Sequence, residues 1–187
     1  MMKTSGETSK GKGRIRSLNR KGSRSGKVPA VAARTGTPQD GTVCERCGAV
    51  FSRRTWRRGR KLTETQLGAA TWALCPACEQ VNEGEYFGRV IIRGAYAEAN
   101  EAVIRRRIKN VAGRAEFTQP ERRIVSINRE NATLEILTTS QKLAHRIVHE
   151  LKKAFGGKSS YAWSDSDGTL SATWQRHDVS TVKRAAR

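Results

Sequence analysis

The chain has 187 residues, with 36 Lys+Arg against 17 Asp+Glu and a formal net charge of +19. Hydrophobic residues make up 36%, below the ~45–50% of a typical globular domain, so part of the chain is expected to lie outside any core. So much positive charge repels itself and asks for an anionic partner, nucleic acid first and an anionic membrane surface second. A spanning helix needs ~20 apolar residues in a row and the chain has no such stretch, so no membrane partner is expected. No apolar segment follows the basic N-terminus as it would in a secretory signal, which points to a cytoplasmic, reducing setting.

Residues 1–42 hold ten Lys/Arg, two acidic residues and no tryptophan, tyrosine or phenylalanine. A stretch rich in Gly, Ser, Thr and Lys cannot bury enough apolar surface to offset chain entropy. A disordered basic tail is therefore expected there.

Residues 43–87 contain all four cysteines, in the pairs Cys44-Glu45-Arg46-Cys47-Gly48 and Cys75-Pro76-Ala77-Cys78. In a reducing compartment, paired CxxC motifs read as metal ligands rather than disulfides. Two intervening residues let one tight turn present both sulfurs to one ion, and Gly48 suits a left-handed residue after the first pair. The second pair is expected to lead into a short helix through Val81. Cys44, Cys47, Cys75 and Cys78 are thus expected to bind one structural Zn²⁺. Four thiolates close the coordination sphere and leave no place for water or substrate. A redox-active CxxC is the alternative. Trp72, beside the second pair, is expected in the core of this module.

Between the pairs runs Arg53-Arg54-Thr55-Trp56-Arg57-Arg58-Gly59-Arg60-Lys61, six of nine residues basic. Arg53, Arg54, Arg57, Arg58, Arg60 and Lys61 form a basic loop anchored at both ends by the metal. Arginine forks suit phosphates, and Trp56 could add a stacking platform. A solvated loop with Trp56 packed on the metal module is the plainer possibility.

Residues 88–177 read as a compact α+β unit. Gly88–Arg93 is a strand, and residues 96–112 are a helix with Tyr96, Ala99, Val103, Ile104, Ile108 and Val111 on one face. Pro120 ends that helix. Residues 122–129 and Thr133–Thr138 are strands around a turn at Asn131. Ser140 caps a second helix with Leu143, Ala144, Ile147, Leu151, Ala154 and Phe155 as its apolar stripe, and Gly156-Gly157 stops it. Residues 159–164 and 169–175 form a hairpin whose four-residue loop pairs Trp163 with Leu170 and Tyr161 with Ala172. Tyr161, Trp163 and Trp174 share a face with Leu170, so they are expected in the core, with base stacking as the alternative. Residues 178–187 are expected to be a frayed basic tail. The expected fold class is α+β: a disordered basic N-terminal tail, a four-cysteine zinc module, and a ferredoxin-like βαββαβ sandwich with one extra strand.

On the second helix Lys142, Arg146, His149 and Lys153 form a stripe opposite the apolar one. It is either an ordinary solvated face or a surface that tracks a nucleic-acid backbone. Arg105, Arg106, Arg107 and Lys109 crowd the first helix, where Glu101 and Arg105 form an i,i+4 pair. His145 and His149 are spaced for a metal, but Arg146 rather than Glu follows the first of them, against the catalytic zinc pattern. No phosphate loop, nucleophile elbow or dinucleotide fingerprint is present, so a non-enzymatic protein is expected.

The CxxCG and CPxC pairs, followed by a strand and helix, lead to a ββα segment reading Leu134-Glu135-Ile136-Leu137-Thr138-Thr139-Ser140, then Leu143-Ala144 and Ile147-Val148, and a short hairpin. Over residues 43–176 this resembles prokaryotic relatives of the nonsense-mediated-decay-three-like family, whose eukaryotic members escort the large ribosomal subunit out of the nucleus. The resemblance implies a zinc-stabilised protein that binds ribosomal RNA or the ribosome, with the four cysteines as ligands and no catalytic residue. Eukaryotic members carry more CxxC pairs and transport signals. This chain has one site and no such signals, so an export role is not implied. The expectation is a non-catalytic RNA-binding protein. The other readings are a DNA-binding or transcription-associated zinc protein, a protein–protein adaptor, and a zinc-linked redox or hydrolytic enzyme.

Overall fold

A computed structural model of the chain describes residues 38–177. The expectations for residues 1–37 and for the tail 178–187 lie outside the described residues. Within them the fold is α+β, built on two sheets.

The first sheet belongs to the cysteine module. It has β1 (Val43–Cys44), β2 (Val50–Ser52), β3 (Thr55–Arg57) and β4 (Trp72–Ala73) in the order β3-β2-β1-β4. A one-turn helix, α1 (Glu64–Gly68), is started by a capping box in which Thr63 and Gln66 bond each other's backbone N–H. Helix α2 (Pro76–Glu83) opens on Cys75 as N-cap with proline in its first turn, and stops at Gly84 with φ 71°. The expectation of a tail does not hold for residues 38–42. Gly41 N–H donates to the Phe51 carbonyl at 2.9 Å and Thr42 is buried, so residues 38–42 belong to the module.

The second sheet has β5 (Gly88–Arg93), β6 (Ile124–Glu130), β7 (Thr133–Thr138), β8 (Lys158–Trp163) and β9 (Leu170–Gln175), ordered β6-β7-β5-β9-β8. Helices α3 (Ala95–Ala99), α4 (Glu101–Thr118) and α5 (Gln141–Phe155) supply the apolar side chains that cover one face. The extra strand expected at the end is β9. It sits inside the sheet, parallel to β5, and leaves β8 at the edge. The β8–β9 register is the expected one, Tyr161 opposite Ala172 and Trp163 opposite Leu170.

The core runs through Val90, Ile92, Ile104, Ile108, Ile136, Leu143, Ile147, Leu151, Leu170 and Trp174. The Trp174 indole N–H is satisfied by the Gly156 carbonyl at 2.8 Å. Gly88 is required by close packing: a Cβ there would collide with Thr138 Oγ1 and fall 2.6 Å from Ala144 Cβ.

Three local expectations change. The first helix breaks at Asn100, whose φ of −121° leaves the helical range and whose side chain bonds the Tyr96 carbonyl. The break resets the apolar phase, so Ala99 and Val103 are exposed while Val111, Ala112 and Ala115 continue the buried stripe. In α5, Ala154 is exposed and Val148 takes the buried place. Strand β6 begins at Ile124, two residues later than expected; Arg123 still bonds Thr139 through its backbone, while its side chain reaches the cysteine module.

Candidate metal centre and basic hairpin

The four cysteines meet where two short turns face each other. Cys44 ends β1 and Cys47 follows in a turn closed by Gly48, whose φ of 67° is the left-handed value expected and whose N–H bonds the Cys44 carbonyl at 2.8 Å. Cys75 and Cys78 come from the start of α2. The Sγ atoms of Cys44 and Cys78 are 3.7 Å apart, those of Cys47 and Cys75 are 3.8 Å apart, and all four lie within 4.8 Å of one another. Four thiolates around one ion at ~2.3 Å would have sulfurs ~3.8 Å apart. The cluster can therefore hold a metal ion.

The thiols are unequal. Burial pulls Cys44 upward, but backbone N–H groups of Cys75, Cys47 and Arg46 outweigh it and bring the thiol down to about 7. The Cys75 N–H lies 3.3 Å from Cys44 Sγ. Burial pushes Cys78 up to about 11, against the pull of the Cys75 side chain and of Arg123. Burial raises Cys75 further still.

Arg123, not among the site residues expected from the sequence, reaches this cluster from the other domain. Its Nη1 donates to Cys78 Sγ at 3.1 Å, its Nε donates to the Pro120 carbonyl at 2.7 Å, and the residue is only 9% exposed. Glu116 stands 3.7 Å from Arg123 Nε and 3.1 Å from Arg58 Nη1. A buried guanidinium is tolerable only beside compensating negative charge. Four thiolates around a divalent ion would carry net negative charge and supply it. Only the sequential neighbourhood of Pro120 and a second arginine, Arg122, marks this position in the sequence, and neither is a distinctive signal.

The first part of the basic tract is not a loop but a hairpin, and residues 58–61 follow it without regular structure. Ser52 pairs with Thr55, so β2 and β3 are joined by the two residues Arg53 and Arg54, with φ of 51° and 63°. Positive φ at both central residues is the turn that best matches strand twist, but it usually takes Asn-Gly. Here two arginines occupy it, exposed at the tip, with the Arg53 N–H bonded to Asp40 Oδ1 at 3.1 Å. Arg57, Arg60 and Lys61 are exposed as well, Arg60 resting on Ser52 Oγ at 2.5 Å.

Two of the residues expected to contact nucleic acid face inward instead. Arg58 bonds the Cys47 carbonyl at 3.2 Å and pairs with Glu116. Trp56 is half-buried, edge-on to Phe51 at 5.4 Å and packed against the cysteine cluster. The alternation of β3 sends it to the face opposite the Arg57 side chain. Trp72 departs from expectation in the other direction. It lies on an edge strand and is 54% exposed, so it is not core.

On α5, Lys142, Arg146, His149 and Lys153 are all exposed. They lie far along the chain from the hairpin, on the α+β domain. The Glu101–Arg105 pair is present at 2.6 Å, and Arg107 pairs with Glu150 of α5 at 2.7 Å. His145 is stacked on Tyr161, ring centroids 4.8 Å apart. Of the three hairpin aromatics expected in the core, Trp174 is fully buried and Tyr161 half-buried, but Trp163 is exposed. Trp163 lies on edge strand β8, beyond the cover of α5, whereas its partner Leu170 lies one strand further in and is buried. No helix of the described residues is long and apolar enough to cross a membrane. A scan against family models and searches of curated proteins and of solved structures found no match to the chain.

Proposed function

We propose that this is a cytoplasmic, Zn²⁺-stabilised RNA-binding protein that acts on ribosomal RNA or the ribosome and performs no catalysis. The observation that carries the reading is the hairpin tip: Arg53 and Arg54 held in left-handed conformation and exposed to solvent. Left-handed backbone costs a non-glycine residue about 1–2 kcal/mol. Two arginines where Asn-Gly would be easier are accounted for by a partner that needs their charge and forks. With Arg57 on the same hairpin, and Arg60 and Lys61 just after it, they make five exposed cations between the two cysteine pairs.

Zinc suits the donor set, since an all-thiolate tetrahedron is a closed structural site. Its role is to fix the hairpin and α2, not to present water or substrate. The kinship with the large-subunit adaptor family belongs to this proposal and rests on the cysteine pairs and the ββα pattern.

Native mass spectrometry of the full chain tests the metal: one zinc ion is expected. An iron–thiolate centre would instead colour the protein. Crosslinking in cells, with sequencing of bound nucleic acid, tests the partner. Enrichment of ribosomal RNA supports the reading. Enrichment of DNA moves the protein to the transcription-associated alternative, and recovery of no nucleic acid overturns both in favour of a protein adaptor.

A further inference from the structure

Three rings stand in series along the border between α5 and β8. The His145 imidazole stacks on Tyr161 at 4.8 Å and 27°, and Tyr161 leads on to Trp163 at 6.0 Å and 31°. The series ends in solvent, for Trp163 is 58% exposed. The open face of the sheet offers no comparable surface: its outward residues on the three strands β5, β9 and β8 include Arg89, Ile91, Arg93, Thr173 and Ser160, with no aromatic ring.

The surroundings are cationic. Gln141 at the start of α5 bonds the Gly168 carbonyl, which ties that end of the helix to the loop following Trp163. Lys142 therefore stands at the Trp163 end, one turn before His145, and Arg146 follows on the exposed face. The α5 N-terminus adds its own partial positive charge there. In the same loop, the Asp167 carboxylate is occupied by the Thr169 N–H and hydroxyl at 3.0 and 2.8 Å.

We propose that His145, Tyr161 and Trp163 form a stacking platform for unpaired bases of single-stranded RNA, with the flanking phosphates met by Lys142 and Arg146. This rests on the RNA-binding reading above and adds a second contact, on the other domain from the Arg53-Arg54 hairpin. Stacking on an aromatic face is sequence-tolerant, because every base has a π-face, and it demands bases that are not already paired. A duplex can use the cations but not the platform.

The test is fluorescence anisotropy with the full chain, using a labelled twelve-nucleotide adenosine RNA and a labelled RNA duplex of the same length. Trp163→Ala should weaken single-strand binding at least five-fold and leave duplex binding within two-fold. Trp163→Phe should restore most of the loss, and unchanged far-ultraviolet circular dichroism should show that both variants are folded. If the wild-type chain binds both probes and Trp163→Ala changes neither, or weakens both alike, the platform is overturned while the RNA-binding reading stands. Binding of neither probe by the wild-type chain overturns both. Retained single-strand affinity in Trp163→Ala would also follow if this surface seats a protein partner instead.

Discussion

The guanidinium of Arg123 lies 3.1 Å from the sulfur of Cys78, although the two residues belong to different domains and are 45 positions apart in sequence. The contact places a permanent cation against a cluster that would be anionic with a divalent ion held by four thiolates. Glu116 extends it to Arg58, so the chain Cys78, Arg123, Glu116, Arg58 runs from the cysteine cluster across the second domain and back to the end of the basic hairpin. Arg58 in turn bonds the carbonyl of Cys47.

Arg123→Met should weaken metal retention without abolishing it. Groups that hydrogen-bond metal ligands commonly contribute 10–100-fold in affinity. A loss in that range is expected in competition against a chromophoric chelator. Lysine at this position should recover only part, since a single ammonium cannot reach the sulfur and the Pro120 carbonyl together. Retention equal to wild type would mean that the Arg123–sulfur contact has no energetic consequence.

Metal removal should unfold the cysteine module and spare the α+β domain. Among the described residues the apolar core of the cysteine module is small: Ala49 and Ala77 pack with the cysteines, and Val43, Val50 and Phe51 are the other buried apolar side chains of its sheet. The second domain has its own apolar core around Ile104, Ile136 and Trp174. Metal-binding energy is then most of the module's folding energy. Limited trypsin digestion after chelation should open Arg53, Arg54, Arg57, Arg60 and Lys61 to cutting, leaving a resistant fragment that starts at Leu62, because no Lys or Arg lies between Lys61 and Arg89. Full protection of the hairpin in the metal-free protein would contradict this.

The parts legible in the sequence were those set by local rules. The CxxC pairs announced the cluster, the 3.6-residue stripe announced α5, and the turn length of the last hairpin set its register. What escaped depended on contacts distant in sequence. Nothing local says that β9 will insert beside β5, because that choice is made by pairing across more than 75 residues. The hairpin at Arg53-Arg54 lacks the Asn or Gly that usually marks such a turn, and the helix break at Asn100 has no proline or glycine. Arg123 was one arginine among many until the fold placed it beside a sulfur. The inward turn of Arg58 is of the same kind: its partner Glu116 lies on a helix of the other domain.

Acid should loosen the junction between α4 and the β6–β7 hairpin. Glu101 accepts from Arg105 at 2.6 Å and from Arg129, and these arginines hold its carboxyl below the ordinary carboxylate range. A carboxylate whose pKa is lower folded than unfolded stabilises the fold above its unfolded pKa, about 4.3, and that contribution is lost as pH falls through the folded value. Glu101→Gln should therefore reduce stability at pH 7 slightly and flatten the fall in melting temperature between about pH 5 and 3. An unchanged acid limb in the variant would mean that the ion pairs do not contribute.

Replacing Arg53-Arg54 with Asn-Gly should move stability and binding in opposite directions. Each left-handed arginine costs about 1–2 kcal/mol; with part of that kept by Asn and about 0.5–1 kcal/mol returned as the folding entropy of Gly, the exchange should stabilise the module by roughly 1–2 kcal/mol. The same change removes two exposed cations from the hairpin tip. For a single strand, every phosphate that a cation no longer neutralises lowers the log–log salt slope by about 0.7, so the slope should become shallower by about 1.4. Thermal unfolding and anisotropy across a salt series measure the two effects on the same variant. A more stable protein with unchanged RNA affinity would show that the arginines at the tip are tolerated strain without a role in binding. A less stable protein would show that they make folded-state interactions worth more than the strain.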